Sequence, residues 1–218
     1  MKILQFMIIN LSHQILKTLP YWLIKFLSFP IGIIYFLITF RSSFRLYKRK
    51  DLFNNSGLFY NPLLVKINYT RYWLETLWLT NRNFKKYISP YIEIENQDFV
   101  NKLKKQYPGL IFALPHQGNW EFAIPIGNSI NLNLLAVAEP LDNTYVLNWF
   151  KSLRESLGIE IIIGGKGQNT FDSLVEKLNS GKDICLLSER SIKKSGVATD
   201  FFGQLAAFPK GPVALSFK

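Results

Sequence analysis

His116 is followed five residues later by Glu121 in the stretch Gly109-Leu-Ile-Phe-Ala-Leu-Pro-His116-Gln-Gly-Asn-Trp-Glu121. Imidazole is the side chain whose ordinary pKa lets it take up a proton near neutrality. A carboxylate on one ring nitrogen fixes the tautomer and stabilises the imidazolium that forms. The other nitrogen is then left to deprotonate a hydroxyl. The spacing therefore predicts general-base activation of a hydroxyl, with His116 as base and Glu121 as its orienting acid. The plain alternative is a structural histidine on a turn, with Glu121 favoured only by a helix N-terminus. A single cysteine, Cys185, and only two histidines, His13 and His116, leave no Cys-rich or His-based ligand set. No disulfide and no metal site is expected. Cys185 sits in an apolar run and reads as a buried, inert thiol.

The elements around His116 are those that present a side chain at a sheet edge. Gly109–Leu114 is a short apolar run that reads as a buried strand. Pro115 ends it, having no donor for the next ladder bond. Gly118 makes a turn and Asn119 is a good N-cap for a helical turn at Trp120–Ile124. Further apolar runs at 133–138, 159–163 and 183–187 read as strands. Helices are expected from about residue 144 to Leu157, after a turn at 139–143, and over Thr170–Asn179. Strands alternating with helices predict an α/β domain with a mostly parallel sheet flanked by helices. Upstream, residues 62–80 suit an amphipathic helix, Ile92–Glu95 alternates like an edge strand, and Asp98–Gln106 reads as a polar helix. In open parallel sheets the crevice beyond the strand ends is the usual ligand site.

The chain has 218 residues and a net charge of +11, all of it in the N-terminal half. Residues 1–108 hold 16 Lys/Arg against 5 Asp/Glu, whereas 109–218 hold 10 against 10. Such asymmetry suits nucleic acid or an anionic membrane surface. The adjacent hydrophobicity decides for the membrane, and no nucleic-acid partner is expected. Pro20–Phe40 is a 21-residue run with Lys25 as its only charge. That length is close to the ~20 residues that cross a bilayer core. Pro30 and Gly32 interrupt it, so a segment lying in the interface competes with a true span. No small-x-small cleavage pattern precedes Arg41, which argues against a signal peptide. Arg41, Arg45, Lys48, Arg49 and Lys50 form a cluster for anionic headgroups, and the positive-inside rule puts the chain after residue 41 on the cytoplasmic side. A membrane anchor at 1–50 and an α/β domain at 51–218 are therefore expected.

His-Gln-Gly-Asn-Trp-Glu resembles the His-x-Gly-Asn-Trp-acid block of the bacterial lipid A biosynthesis acyltransferases and the related phosphatidylinositol mannoside acyltransferases. Pro140-Leu-Asp-Asn143, Arg154-x-x-x-Gly158, Asp200-Phe-Phe-Gly203 and Gly211-Pro212 continue the likeness. Ser188-Glu189-Arg190 stands where relatives carry an Asp-x-Asp-like turn, so that element is altered. One-step phospholipid acyltransferases carry Asn-His and Pro-Glu-Gly-Thr-Arg, which this chain lacks; Gly-x-Ser-x-Gly and a Walker loop are also absent. The resemblance implies transfer of a fatty acyl chain from an acyl carrier protein or coenzyme A thioester to a hydroxyl of a lipid A precursor-like glycolipid at the inner membrane, without a cofactor. It implies substrate-binding roles for Asn119, Arg154, Glu189 and Arg190. A catalytically inactive membrane-binding protein that keeps the fold is the competing reading. Family members continue for several tens of residues past the Gly-Pro helix start, so a C-terminally shortened domain is expected.

Overall fold

The structure, a computed structural model, describes residues 1–42, 62–165, 169–189 and 196–218. Arg45, Lys48, Arg49, Lys50 and Arg190 lie outside the described residues. The chain divides into two compact units, one of residues 7–83 and one of 84–218 with 1–6. The expected domain boundary near residue 50 falls within residues that are not described.

The N-terminal unit is helical. It takes in α1 (Lys2–Leu16) from residue 7 onward, α2 (Tyr21–Ile38), α3 (Pro62–Trp78) and the first residues of α4 (Asn81–Tyr87). Pro20 sits just ahead of α2, where its missing N–H costs nothing. The turn between α1 and α2 is tied to the end of α3. Trp78 Nε1 donates to the Leu19 carbonyl at 2.8 Å, and Asn83 Nδ2 donates to the Lys17 carbonyl at 2.8 Å. The amphipathic helix expected over 62–80 is α3.

The second unit is α/β. After α5 (Gln97–Gln106) come β1 (Ile111–Leu114), α6 (Ala123–Ser129), β2 (Leu134–Ala138), α7 (Thr144–Leu157), β3 (Glu160–Ile163), α8 (Thr170–Asn179) and β4 (Asp183–Leu187). These four strands form one parallel sheet in the order β1-β4-β2-β3. A hairpin comes next, β5 (Val197–Phe201) with β6 (Gln204–Phe208), and then α9 (Gly211–Ser216). Period-two alternation assigns the faces of β2. Leu135 joins Leu174 of α8, Ile184 of β4 and Leu215 of α9 in one buried cluster. Its neighbour Leu134 meets Gly127 of α6 on the other side. The parallel sheet and its flanking helices are as expected. Ile92–Glu95 is not a strand: residues 92–94 are irregular, after a 3-10 turn at Ser89–Tyr91. Among the described residues no strand lies beside this alternation to pair with it.

Asp183 fixes the entry edge of the sheet. It is fully buried at the first position of β4, between the two neighbours of that strand. Its carboxylate accepts from the Leu110 N–H at 3.0 Å and the Asn133 N–H at 2.7 Å, the residues leading into β1 and β2. Lys104 Nζ from α5 donates to both oxygens, at 2.9 and 3.0 Å. One side chain thereby sets the phase of three strands. Breaking such a buried pair costs about 3–5 kcal/mol because the remaining charge stays uncompensated. Asp183→Asn should therefore lower stability by roughly that amount, read as a large drop in thermal midpoint of the full chain in detergent. An unchanged midpoint would show that the edge is held by strand pairing alone.

Candidate active site

His116 and Glu189 meet because β1 and β4 are parallel neighbours in a defined register. Leu114 pairs with Leu187, and the Ser188 N–H donates to the Leu114 carbonyl at 2.8 Å. His116 and Glu189 each lie two residues beyond that last pair, at the carboxyl edge of the sheet. Pro115 halts β1, and Gly118, at φ 62°, supplies the left-handed turn that sends the chain away from the strand. Asn119 Oδ1 then accepts from the Glu121 N–H at 3.1 Å, capping the 3-10 turn Trp120–Phe122 that leads into α6.

The imidazole Nδ1 lies 2.5 Å from Glu189 Oε1, a short, charge-assisted contact. Trp120 meets the ring edge-on, with centroids 4.9 Å apart. Partial burial of Glu189 alone would push its carboxyl up. That effect is outweighed by hydrogen bonding from its own backbone N–H, from the His116 ring and from the His116 backbone, so the group is held below the usual carboxylate range. Glu189 is thus an anion across neutral pH, positioned to hold the ring and to stabilise positive charge on it.

The carboxylate that sequence spacing put on the imidazole is elsewhere. Glu121 is buried, and its oxygens accept from Arg154 of α7, Nη2 to Oε1 at 2.6 Å and Nε to Oε2 at 3.0 Å. This two-pronged pairing is the geometry for which guanidinium and carboxylate are matched. Phe150, one turn earlier on α7, lies under the guanidinium, 5.5 Å from Cζ to the ring centroid. Arg154, expected to hold an anionic part of a substrate, is thereby engaged with a protein carboxylate. The physical reason is direction: the Asn119 cap starts the helical turn with Glu121 facing inward, whereas the β1–β4 register brings a residue 73 positions away onto His116. Glu189, expected among the substrate-binding residues, holds the imidazole instead. Asn119, given the same expectation, spends its side-chain oxygen on the cap. The sequence signals for Glu189 were its place just after an apolar strand and at the acidic turn of the family resemblance, and neither pointed to the imidazole. Cys185, between Ile184 and Leu186 of β4, is pushed up to about 12 by burial and the nearby Asp183 charge, which suits an inert thiol. Among the described residues no three His, Cys, Asp or Glu side chains group to hold a metal ion.

An open parallel sheet with a histidine–carboxylate pair at its carboxyl edge defines an α/β protein that carries this pair on the side where such sheets commonly bind ligands. Residues 66–218 match the family model "Bacterial lipid A biosynthesis acyltransferase", and the chain belongs to that family. It is 32% identical over 155 residues to a phosphatidylinositol mannoside acyltransferase of Mycolicibacterium smegmatis, covering 69% of this chain and 50% of that protein. A protein of the same name from Mycobacterium tuberculosis is 32% identical over 151 residues, covering 68% of this chain and 48% of its own length. The chain spans about half the length of the curated relatives it matches.

The site's electrostatics predict two outcomes. Arg154→Met strands a buried carboxylate and should cost about 3–5 kcal/mol. Adding Glu121→Gln should restore part of that loss; strictly additive losses in a double-mutant cycle would show that the pair is not coupled. For Glu189, whose folded pKa is depressed, the stabilisation is fully present above the unfolded carboxylate value, about 4.3, and is lost as pH falls through the folded value. The stability gap between the native chain and Glu189→Gln should accordingly shrink on acidification below about pH 5. A gap independent of pH in denaturant titrations would contradict it.

Proposed function

We propose that this chain carries the acyl-transfer centre of a membrane-bound glycolipid acyltransferase, moving a fatty acyl group from an acyl thioester to a hydroxyl of a glycolipid. The observation that carries the reading is the His116–Glu189 pair at the carboxyl edge of β1 and β4. With Nδ1 turned to Glu189, Nε2 is the ring nitrogen left to act on substrate. The acceptor hydroxyl gives its proton to Nε2 while its oxygen attacks the thioester carbonyl carbon. The carbon–sulfur bond then breaks, and the thiolate leaves with the proton returned by the imidazolium. Glu189 stabilises the imidazolium between these steps, and no acyl-enzyme is required. Membership of the lipid A acyltransferase family and likeness to phosphatidylinositol mannoside acyltransferases support an acceptor that is an anionic glycolipid. The donor is a thioester of acyl carrier protein or coenzyme A. The apolar helix α2 and the N-terminal cations support a place at the inner membrane with the α/β unit toward the cytoplasm.

The test is transfer of labelled acyl groups by membranes carrying the full chain, with both thioester types and with lipid A precursor and phosphatidylinositol mannoside as acceptors. His116→Ala should lower turnover roughly 10²–10⁴-fold with membrane attachment intact. Glu189→Gln keeps a hydrogen-bonding group but loses the charge, so it should fall between His116→Ala and the native chain. Native-like turnover by His116→Ala removes His116 as the base. Absence of transfer by the native chain with every donor and acceptor pair favours a fold kept for membrane binding alone.

A further inference from the structure

We propose that α2 does not cross the bilayer but lies in the plane of one leaflet, with α3 on its water side and its outer stripe in the lipid. By length and composition α2 is the one described helix able to cross a membrane, and only 17% of it is buried within the protein. What it packs against decides the matter. Tyr21, at the start of α2, meets Glu75 and Trp78 at the end of α3. Gly32 meets Ile67, and Tyr35 meets Lys66 and Tyr69, near the start of α3. The two helices are therefore antiparallel and paired along nearly the whole of α2. A helix that spans would take its partner with it.

That partner cannot enter hydrocarbon without charge. Glu75 is buried and accepts from Tyr21 Oη at 2.8 Å and Arg71 Nε at 2.8 Å. Arg71 remains 42% exposed, and Asn68 is exposed near the level of the middle of α2. Lys66 sits 4.5 Å over the Tyr35 ring. Polar and charged groups on a lipid-facing helix are strongly disfavoured at bilayer depth. Separation of the helices is no remedy, because the seam is built for contact. A Cβ on Gly32 would stand 2.7 Å from the Ile67 Cα, and Ser28 and Ile24 continue the same buried line.

The side of α2 away from α3 has the opposite character. At about 100° per residue, Trp22, Phe26, Phe29, Ile33 and Leu37 fall in one stripe nearly opposite Ile24, Ser28 and Gly32. All five are large and apolar, and all are exposed. An aromatic-rich stripe backed by a partner that carries Lys66, Arg71 and Glu75 fits an interfacial helix. The charge fits an anionic surface: the described residues of this unit carry six Lys/Arg (Lys17, Lys25, Arg41, Lys66, Arg71, Arg82) and a single acid, Glu75. This proposal stands whether or not the acyl-transfer reading holds, since it uses none of that site's residues.

The topology is read by thiol labelling of the full chain in a Cys185→Ala background. Thr18→Cys precedes α2 and Ser42→Cys comes after it. Each is treated with a membrane-impermeant maleimide in sealed right-side-out vesicles and in inverted ones. Both thiols should label in the same preparation, the inverted one, and neither in the other. Labelling of Thr18→Cys in one preparation and Ser42→Cys in the other would establish a span and overturn the proposal. So would labelling of both only after detergent, because an in-plane helix leaves both ends at the water boundary. Recovery of the chain in the soluble fraction would remove the lipid occupant altogether.

Discussion

The site depends on one register, Leu114 opposite Leu187. Parallel pairing of β1 with β4 carries two chain segments to the same sheet edge, and each delivers its polar side chain two residues later. A slip of one residue would turn the Leu114 and Leu187 side chains to opposite faces and separate the histidine from its acid. The register is protected at both ends. At the entry edge, the Asp183 carboxylate binds the N–H groups leading into β1 and β2. At the exit edge, Pro115 removes the donor that would let β1 continue, so His116 is released where the Glu189 carboxylate waits.

Two buried carboxylates of the α/β unit do different work. Asp183 is a hub for backbone donors and a lysine, and fixes strands. Glu121 is clasped by Arg154 and ties the first turn after the histidine to the last turn of α7. The loop carrying His116 is thus held from below by β1, from beside by the Asn119 cap and from behind by the Glu121–Arg154 pair. Such support matters for the general-base role proposed for His116, because a general base acts only when its ring nitrogen is held within hydrogen-bond reach of the substrate proton. The hinge between strand and helix is accordingly a rigid mount, with the ring edge against Trp120 and Nδ1 against Glu189.

Much of the second unit was legible in the sequence. Four apolar runs ended by turn residues became β1 to β4, and Asn119 and Asn143 cap the elements they precede. The histidine was legible because strand, proline, glycine and cap residue are all local signals. Its partner was not, because strand order is not local: β4 lies between β1 and β2. Five-residue spacing made Glu121 the natural choice, yet the cap turns it toward Arg154. The hairpin over Val197–Phe208 is hidden in the sequence for a different reason. All five residues of β5 are exposed, so no apolar period marks the strand. The character of α2 needed α3: composition gives a helix long enough to cross, and only the antiparallel partner with Arg71 and Glu75 shows what would have to cross with it.

In the reaction proposed above, Glu189 fixes the His116 tautomer so that Nε2 faces the substrate. Nitrogen-15 NMR of histidine-labelled full-length chain in detergent reads this directly, with His116→Ala used to assign the signal apart from His13. In neutral His116 the proton should reside on Nδ1, with a shift typical of a strong hydrogen bond, and Glu189→Gln should weaken that bond. A proton on Nε2 in the native chain, or a His116 signal indifferent to Glu189→Gln, would contradict the account.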